Sequence, residues 1–214
     1  ETENMLENSR AKLEKKNDKK ITVRSEKEAN EILEILKKAD YVVENIKETK
    51  KSRKPYPPFI TSTLQQEASR KLNFTSKRTM IAAQNLYEGI NIKGSGHIGL
   101  ITYMRTDSLR ISDEAKAAAK NYIINNFGAQ YSPKGFNEYK TKKGNVQDAH
   151  EAIRPSDVNL TPDMIKDSLT SDQYRLYKLI WERFVASQMV NALFNSTSVD
   201  VKADAFTLKT TGSQ

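Results

Sequence analysis

Residues 54–58 read Lys54-Pro55-Tyr56-Pro57-Pro58, and this stretch decides how the rest of the chain divides. It holds three of the six prolines in the sequence. A proline has no backbone N–H and a fixed φ, so such a run continues neither a helix nor a central strand. A domain boundary is placed here. Before it, residues 1–20 are Lys/Glu-rich and read as solvated. Residues 21–24 (ITVR) read as a short strand. Ser25 and Glu28 then form a capping-box pair opening a helix to about Ala39, with Ala29, Ile32, Leu33 and Leu36 on one face. From Tyr41 the sequence alternates like a strand and dissolves into Lys47, Lys50, Lys51, Arg53 and Lys54. That basic run is either a patch for a nucleic-acid backbone or a solvated strand end.

Beyond the prolines the period changes. Thr63 and Gln66 make a second capping-box pattern, and Leu64, Ala68 and Leu72 line one helical face. Asn73-Phe74-Thr75-Ser76 reads as a turn with Ser76 as N-cap. A helix then runs from Lys77 to about Glu88, closed by Gly89. A Gly-rich loop leads to an expected strand, residues 97–104 (HIGLITYM). Helix, turn, helix, strand is the outline of a winged helix-turn-helix, with Lys77 and Arg78 where a recognition helix would meet phosphates. A helix follows from Asp113, capped by Ser112 and stopped by Gly128. Residues 129–147 read as loop, Thr161-Pro162 as the start of a short helix, and residues 171–189 as a long helix with Tyr174, Tyr177, Trp181, Phe184 and Val185 as its buried stripe. The end of the chain alternates across a turn near Ala203-Asp204, a hairpin. The fold class is thus α+β: a β-rich domain from residues 1–58 and 191–214, interrupted by a mostly helical, winged-helix-like domain over residues 59–190.

The net charge is +8, which favours a polyanionic partner. Cysteine is absent, which removes disulfides, thiolate chemistry and cysteine-based zinc sites from this chain. No apolar run approaches the roughly 20 residues that span a bilayer. No P-loop or Asp-x-Asp pair occurs, so neither that phosphate-cradling loop nor an acidic Mg²⁺ site is visible. The abrupt ends suggest a piece of a larger protein.

Two clusters carry chemistry. In residues 99–108 (GLITYMRTDS) an apolar run ends at Tyr103, and Arg105 follows two residues later. In an extended chain these two side chains share a face. A phenol is a weak nucleophile near neutrality; a guanidinium beside it favours the phenolate and can also hold a phosphate oxygen. Thr106, Asp107 and Ser108 can bond phosphate, sugar or the Arg. The chain has nine tyrosines, however, and a packing role is the commoner fate of a tyrosine. The second cluster is residues 149–155 (AHEAIRP). It opens like the HExxH zinc motif, but Arg154 stands where the second His is needed, which rejects a zinc protease. His150 can shuttle a proton or donate to phosphate, or be an ordinary hydrogen-bonded histidine.

GLITYMRTDS, followed about forty residues later by AHEAIRPSD, resembles the bacterial type IA DNA topoisomerase I family. PPFITSTLQQEAS and LYKLIWERFVASQM are similar to further stretches of that family. Met104 fits the topoisomerase I branch, since topoisomerase III usually has Pro after the tyrosine. The resemblance implies a tyrosine-bearing domain set into a β-rich arch that hinges it open. It makes Tyr103 the nucleophile that forms a 5′-phosphotyrosyl link, with Arg105 positioning the scissile phosphate. His150, Arg154 and Asp107 would lie at the site or contact DNA, with Thr106, Ser108 and Glu151 beside them. It implies ATP-independent relaxation of negatively supercoiled DNA in the bacterial cytoplasm, at the nucleoid. Single-stranded and supercoiled DNA are the partners, with the Toprim and C-terminal regions of the same protein. Mg²⁺ would be bound by the Toprim region and not by this chain, which alone would not relax DNA. The alternatives are a non-catalytic DNA-binding module with a structural Tyr103, or a piece of topoisomerase III or reverse gyrase.

Overall fold

The computed structural model describes residues 11–139 and 150–213. The readings of residues 1–10 as solvated and of residues 140–147 as loop lie outside them. The chain forms two compact units: one contains the residues up to Arg53 and those from Ala192 on, the other runs from Lys54 to Asn191.

The first unit is an antiparallel five-stranded sheet. Its strands are β1 (Lys12–Lys16), β2 (Lys19–Lys20), β3 (Tyr41–Arg53), β6 (Ala192–Ala203) and β7 (Phe206–Ser213), in the order β2-β1-β7-β6-β3. Helix α1 (Glu26–Leu36) starts where Ser25 Oγ accepts from the Glu28 N–H at 3.2 Å, and it ends before the expected Ala39. Three strand readings change. Residues 21–24 are not a strand. Residues 12–16, read as solvated, are one, because the edge of β7 offers partners: Leu13 lies opposite Leu208, and the Lys16 ammonium sits 5.5 Å over the Phe206 ring. The turn after β1 uses Asn17 and Asp18 with φ of 47° and 62°, the left-handed pair a tight hairpin requires. The basic run to Arg53 stays in β3, paired with β6 from Tyr41↔Ala203 to Arg53↔Ala192, so the unit ends at Arg53 and not at residue 58. Ile32, Val201, Ala203 and Phe206 are its buried apolar side chains among the described residues.

The second unit is built on α2 (Thr61–Leu72), α3 (Ser76–Glu88), the hairpin β4 (Ile90–Ile92) and β5 (Gly96–Ile98), α4 (Asp113–Phe127) and α5 (Ser171–Ser187). Helix α2 begins two residues before the expected Thr63, whose hydroxyl instead accepts from the Ile60 N–H at 3.0 Å. Asn73 closes the helix in the left-handed region at φ 56°, which turns the chain tightly into α3. Thr75, one residue before the expected Ser76, caps α3 by accepting from the Arg78 N–H. Helix α5 buries Leu176, Tyr177, Ile180, Phe184 and Val185 against Leu64, Phe74, Leu86, Met104 and Ile123 in one core. Trp181 donates its indole N–H to Val158 O at 2.9 Å and meets Tyr122 edge-on, a packing role. Tyr174 lies at the edge of that stripe, bonded to Asp163.

Two further expectations fail here. Strand β5 stops at Ile98: Leu100 N–H turns to Leu86 O at 2.7 Å, and Ile101 makes an isolated bridge to Pro155. No α-helix starts at Thr161. Successive three-residue turns, Met164 N–H to Thr161 O and Ser168 N–H to Ile165 O, give only a 3₁₀ turn over Lys166–Ser168.

Candidate active site

The segment after β5 has no regular structure, yet it is tied down on both sides. On one side stands the start of α2. Thr61 Oγ1 donates to Met104 O at 2.8 Å and accepts from the Thr106 N–H at 2.9 Å, while Thr61 N–H donates to Thr106 O at 3.0 Å. Arg105 is the residue between those two anchors. On the other side runs the segment 150–156. Thr102 N–H donates to Arg154 O, and Thr102 Oγ1 donates to Ala152 O at 2.7 Å and accepts from the Arg154 N–H at 3.0 Å. Segment 150–156 is itself stitched down by Ala152 N–H to Arg110 O and Ile153 N–H to Phe59 O, both 2.8 Å. Tyr103 thus follows directly on one double-bonded threonine, and Arg105 is bracketed by another.

Burial sorts the segment into two sets. Met104, Thr106 and Ser108 are buried; Tyr103 is half-buried, and Arg105 and Asp107 are exposed. The alternation expected of a strand therefore survives in a segment that is not one. The inward set is spent on structure: Thr106 Oγ1 accepts from the Ser108 N–H at 3.0 Å and Ser108 Oγ from the Arg110 N–H at 3.2 Å. These hydroxyls shape the loop and do not face solvent. Among the described residues, the Tyr103 hydroxyl, the Arg105 guanidinium and the Asp107 carboxylate have no hydrogen bond or ion pair.

The second cluster splits in the same way. His150 is exposed, and its ring lies 5.5 Å from that of Tyr103, tilted by 40°. Arg154 is turned inward. Its Nε donates to Glu151 Oε2 at 3.1 Å, Nη2 reaches the same oxygen, and Nη1 donates to Pro155 O at 2.9 Å. Both side chains of this ion pair are largely buried, so Arg154 is a brace for the HEAIRP segment and not an open phosphate contact. Tyr87 at the end of α3 also meets the Tyr103 ring, edge-on, centroids 5.3 Å apart at 65°. Tyr87 lies outside the stretches that carry the resemblance, and although Thr61, Thr102 and Gly99 lie within them, nothing in the sequence shows what their atoms touch. Their roles rest on contacts 12 to 52 residues distant in the chain.

The winged-helix surface is less open than its outline suggests. Arg78 Nε and Nη2 hold both oxygens of Asp172 at 2.6 and 2.7 Å, and the guanidinium lies 4.3 Å over Phe74. Arg78 is thereby committed to joining α3 to α5. Lys77 keeps its position at the start of α3. No group of three or more His, Cys, Asp or Glu side chains among the described residues is placed to hold a metal ion. No helix among them is long and apolar enough to cross a membrane.

A family model described as DNA topoisomerase matches residues 2–214. The solved structure of full-length topoisomerase I from Thermotoga maritima is similar at a TM-score of 0.77 and 40% sequence identity. That match covers 95% of this chain and 32% of the Thermotoga protein, so the chain spans about a third of the length of that relative.

Proposed function

Since the chain belongs to the DNA topoisomerase family, we propose that it is the tyrosine-bearing portion of a bacterial type IA topoisomerase I, with Tyr103 as the nucleophile. The observation that carries this reading is the division of polar groups around Tyr103. Among the described residues, its hydroxyl, Arg105 and Asp107 are unspent, while Thr61, Thr102, Thr106, Ser108 and the Arg154–Glu151 ion pair are used to hold the segment in place.

In the proposed reaction the Tyr103 oxygen attacks the phosphorus of a single-stranded DNA phosphodiester. The phenol gives up its proton, a tyrosyl O–P bond forms on the 5′ side, and the bond to the 3′ oxygen breaks, that oxygen taking up a proton as it leaves. Reversal by the freed 3′-hydroxyl reseals the strand. One phosphoester replaces another, so no nucleotide hydrolysis is needed. The Arg105 guanidinium holds the non-bridging phosphate oxygens and stabilises the charge that builds on them. His150, its ring tilted beside the nucleophile, can relay a proton. Asp107 can accept a hydrogen bond from either. Mg²⁺ belongs to the expected chemistry of the longer enzyme, and the described residues of this chain do not fit it.

The β-rich unit takes the part of the hinge that swings the tyrosine domain aside for strand passage. Relaxation of negatively supercoiled DNA is the work of the longer protein, in concert with its Toprim and C-terminal regions. The chain alone is expected to bind DNA without relaxing it. The test is Tyr103→Phe in the longer enzyme. Loss of relaxation with single-stranded DNA binding retained supports the reading, and undiminished relaxation refutes it in favour of a non-catalytic module.

A further inference from the structure

A phenol at the end of a flexible side chain reacts only when its oxygen is aimed at phosphorus in line with the leaving group. Misplacement by about 1 Å can cost about 10²-fold in rate. The backbone bonds of Thr102 and Thr61 fix the main chain on either side of Tyr103, but they leave the ring free to turn about its side-chain torsions. Among the described residues, the Tyr103 hydroxyl has no hydrogen-bond partner to orient it. Two other rings meet the Tyr103 ring among the described residues, His150 at 5.5 Å and Tyr87 at 5.3 Å. His150 is exposed and lies outside any helix or strand, whereas Tyr87 is carried on helix α3.

Tyr87 stands in the last turn of α3, directly after the fully buried Leu86. Leu86 O accepts from the Leu100 N–H at 2.7 Å, which pulls the tyrosine segment against the helix end. The close approach depends on Gly99: a Cβ there would lie 2.8 Å from Tyr87 O, nearer than such contacts allow. Tyr87 is itself 41% exposed, so it is not fixed there by burial in the core. Its geometry with Tyr103 is the edge-to-face arrangement that aromatic pairs prefer.

We propose that Tyr87 is a positioning residue: its ring, carried on the rigid end of α3, sets the orientation of the Tyr103 ring and hence the line along which the phenolic oxygen meets phosphate. This inference rests on the reading of Tyr103 as nucleophile. It requires the ring of Tyr87 but not its hydroxyl.

The test compares Tyr87→Ala, Tyr87→Phe and Tyr103→Phe in the longer enzyme, measuring single-turnover cleavage of a labelled single-stranded oligonucleotide and its affinity separately. The same substitutions in this chain, labelled at the tyrosine ring carbons, report the Tyr103 ring by NMR, its signal being the one lost in Tyr103→Phe. The expected result is that Tyr87→Ala slows cleavage about 10–100-fold with affinity within about twofold, and shifts and broadens the Tyr103 signal, while Tyr87→Phe keeps both near wild type. Cleavage by Tyr87→Ala at the wild-type rate overturns the proposal. So does a loss that Tyr87→Phe does not rescue, or one matched by an equal loss of affinity or of thermal stability. Tyr103→Phe separates the two readings. If it still forms an adduct, the nucleophile assignment fails; if it is dead while Tyr87→Ala is normal, only the positioning role fails.

Discussion

Thr61 shows how much one hydroxyl can organise. It stands at the first turn of α2 and satisfies backbone groups on both sides of Arg105, 43 and 45 residues away. Thr61→Val keeps the shape and removes the bonds, leaving the buried Thr106 N–H and Met104 O without partners. The expected cost is about 1–3 kcal/mol of stability. Adduct formation should fall further than that loss explains, because Arg105 loses its bracket; Thr61→Ser should restore both. Thermal denaturation and adduct yield measure the two effects. At this scale the sequence was partly legible. The spacing of Tyr103 and Arg105 showed a coherent chemistry, and only the resemblance of GLITYMRTDS and HEAIRP to a family raised it above the ordinary fate of a tyrosine. Thr61 gave no sign of itself, since a threonine that opens a helix reads as a cap wherever its hydroxyl goes. Arg154 misled in the opposite sense: an arginine beside a histidine suggests phosphate, but Glu151 three residues earlier takes its donors.

Elements were legible where local chemistry decides them. Ser112 and Gly128 bound α4 as the caps imply, and the hairpin turn falls at Asp204, with φ 55°. They were illegible where a distant partner decides. Strand β1 carries a single apolar residue, Leu13, and exists because β7 pairs with it. The tyrosine segment alternates in burial without a regular ladder, because the hydroxyls of Thr61 and Thr102, with isolated backbone bonds, stand in for a neighbouring strand.

Tyr139 is a second such device. Its hydroxyl donates to Ser187 O at 2.7 Å and lies 3.4 Å from Pro55 O, tying the end of α5 to the start of the second unit. Burial pushes this phenol up to about 12, against the opposing effect of Arg183. A folded-state pKa above the unfolded value means stability that is whole below about pH 10 and is lost as pH rises towards 12. Alkaline denaturation of wild type and Tyr139→Phe should therefore show a gap between them that narrows over that window. The gap should be about 1–2 kcal/mol at neutral pH. A gap independent of pH would contradict the assignment.

At the scale of the whole molecule, the proline run pointed to a break, and the compact units part at Lys54, at the head of that run. The difference from residue 58 arises because β3 pairs as far as Arg53, a length set by β6 and not by its own alternation. The buried cluster of the second unit draws every member from residues between Phe59 and Val185. Residues 54–191 expressed alone should thus fold, with a cooperative thermal transition and dispersed NMR signals. A molten spectrum would show that the core needs the sheet unit. The net charge of +8 should give single-stranded DNA binding that weakens steeply with salt.

The central claim is that Tyr103 bonds covalently to DNA, and trapping that bond tests it most directly. The chain would be combined with a separately produced Toprim-containing portion, Mg²⁺ and a labelled single-stranded oligonucleotide, denatured, digested and mapped by mass spectrometry. The account predicts an adduct on the peptide containing Tyr103, formed only with both portions present and absent in Tyr103→Phe. An adduct on another residue, or one that persists in Tyr103→Phe, would contradict it.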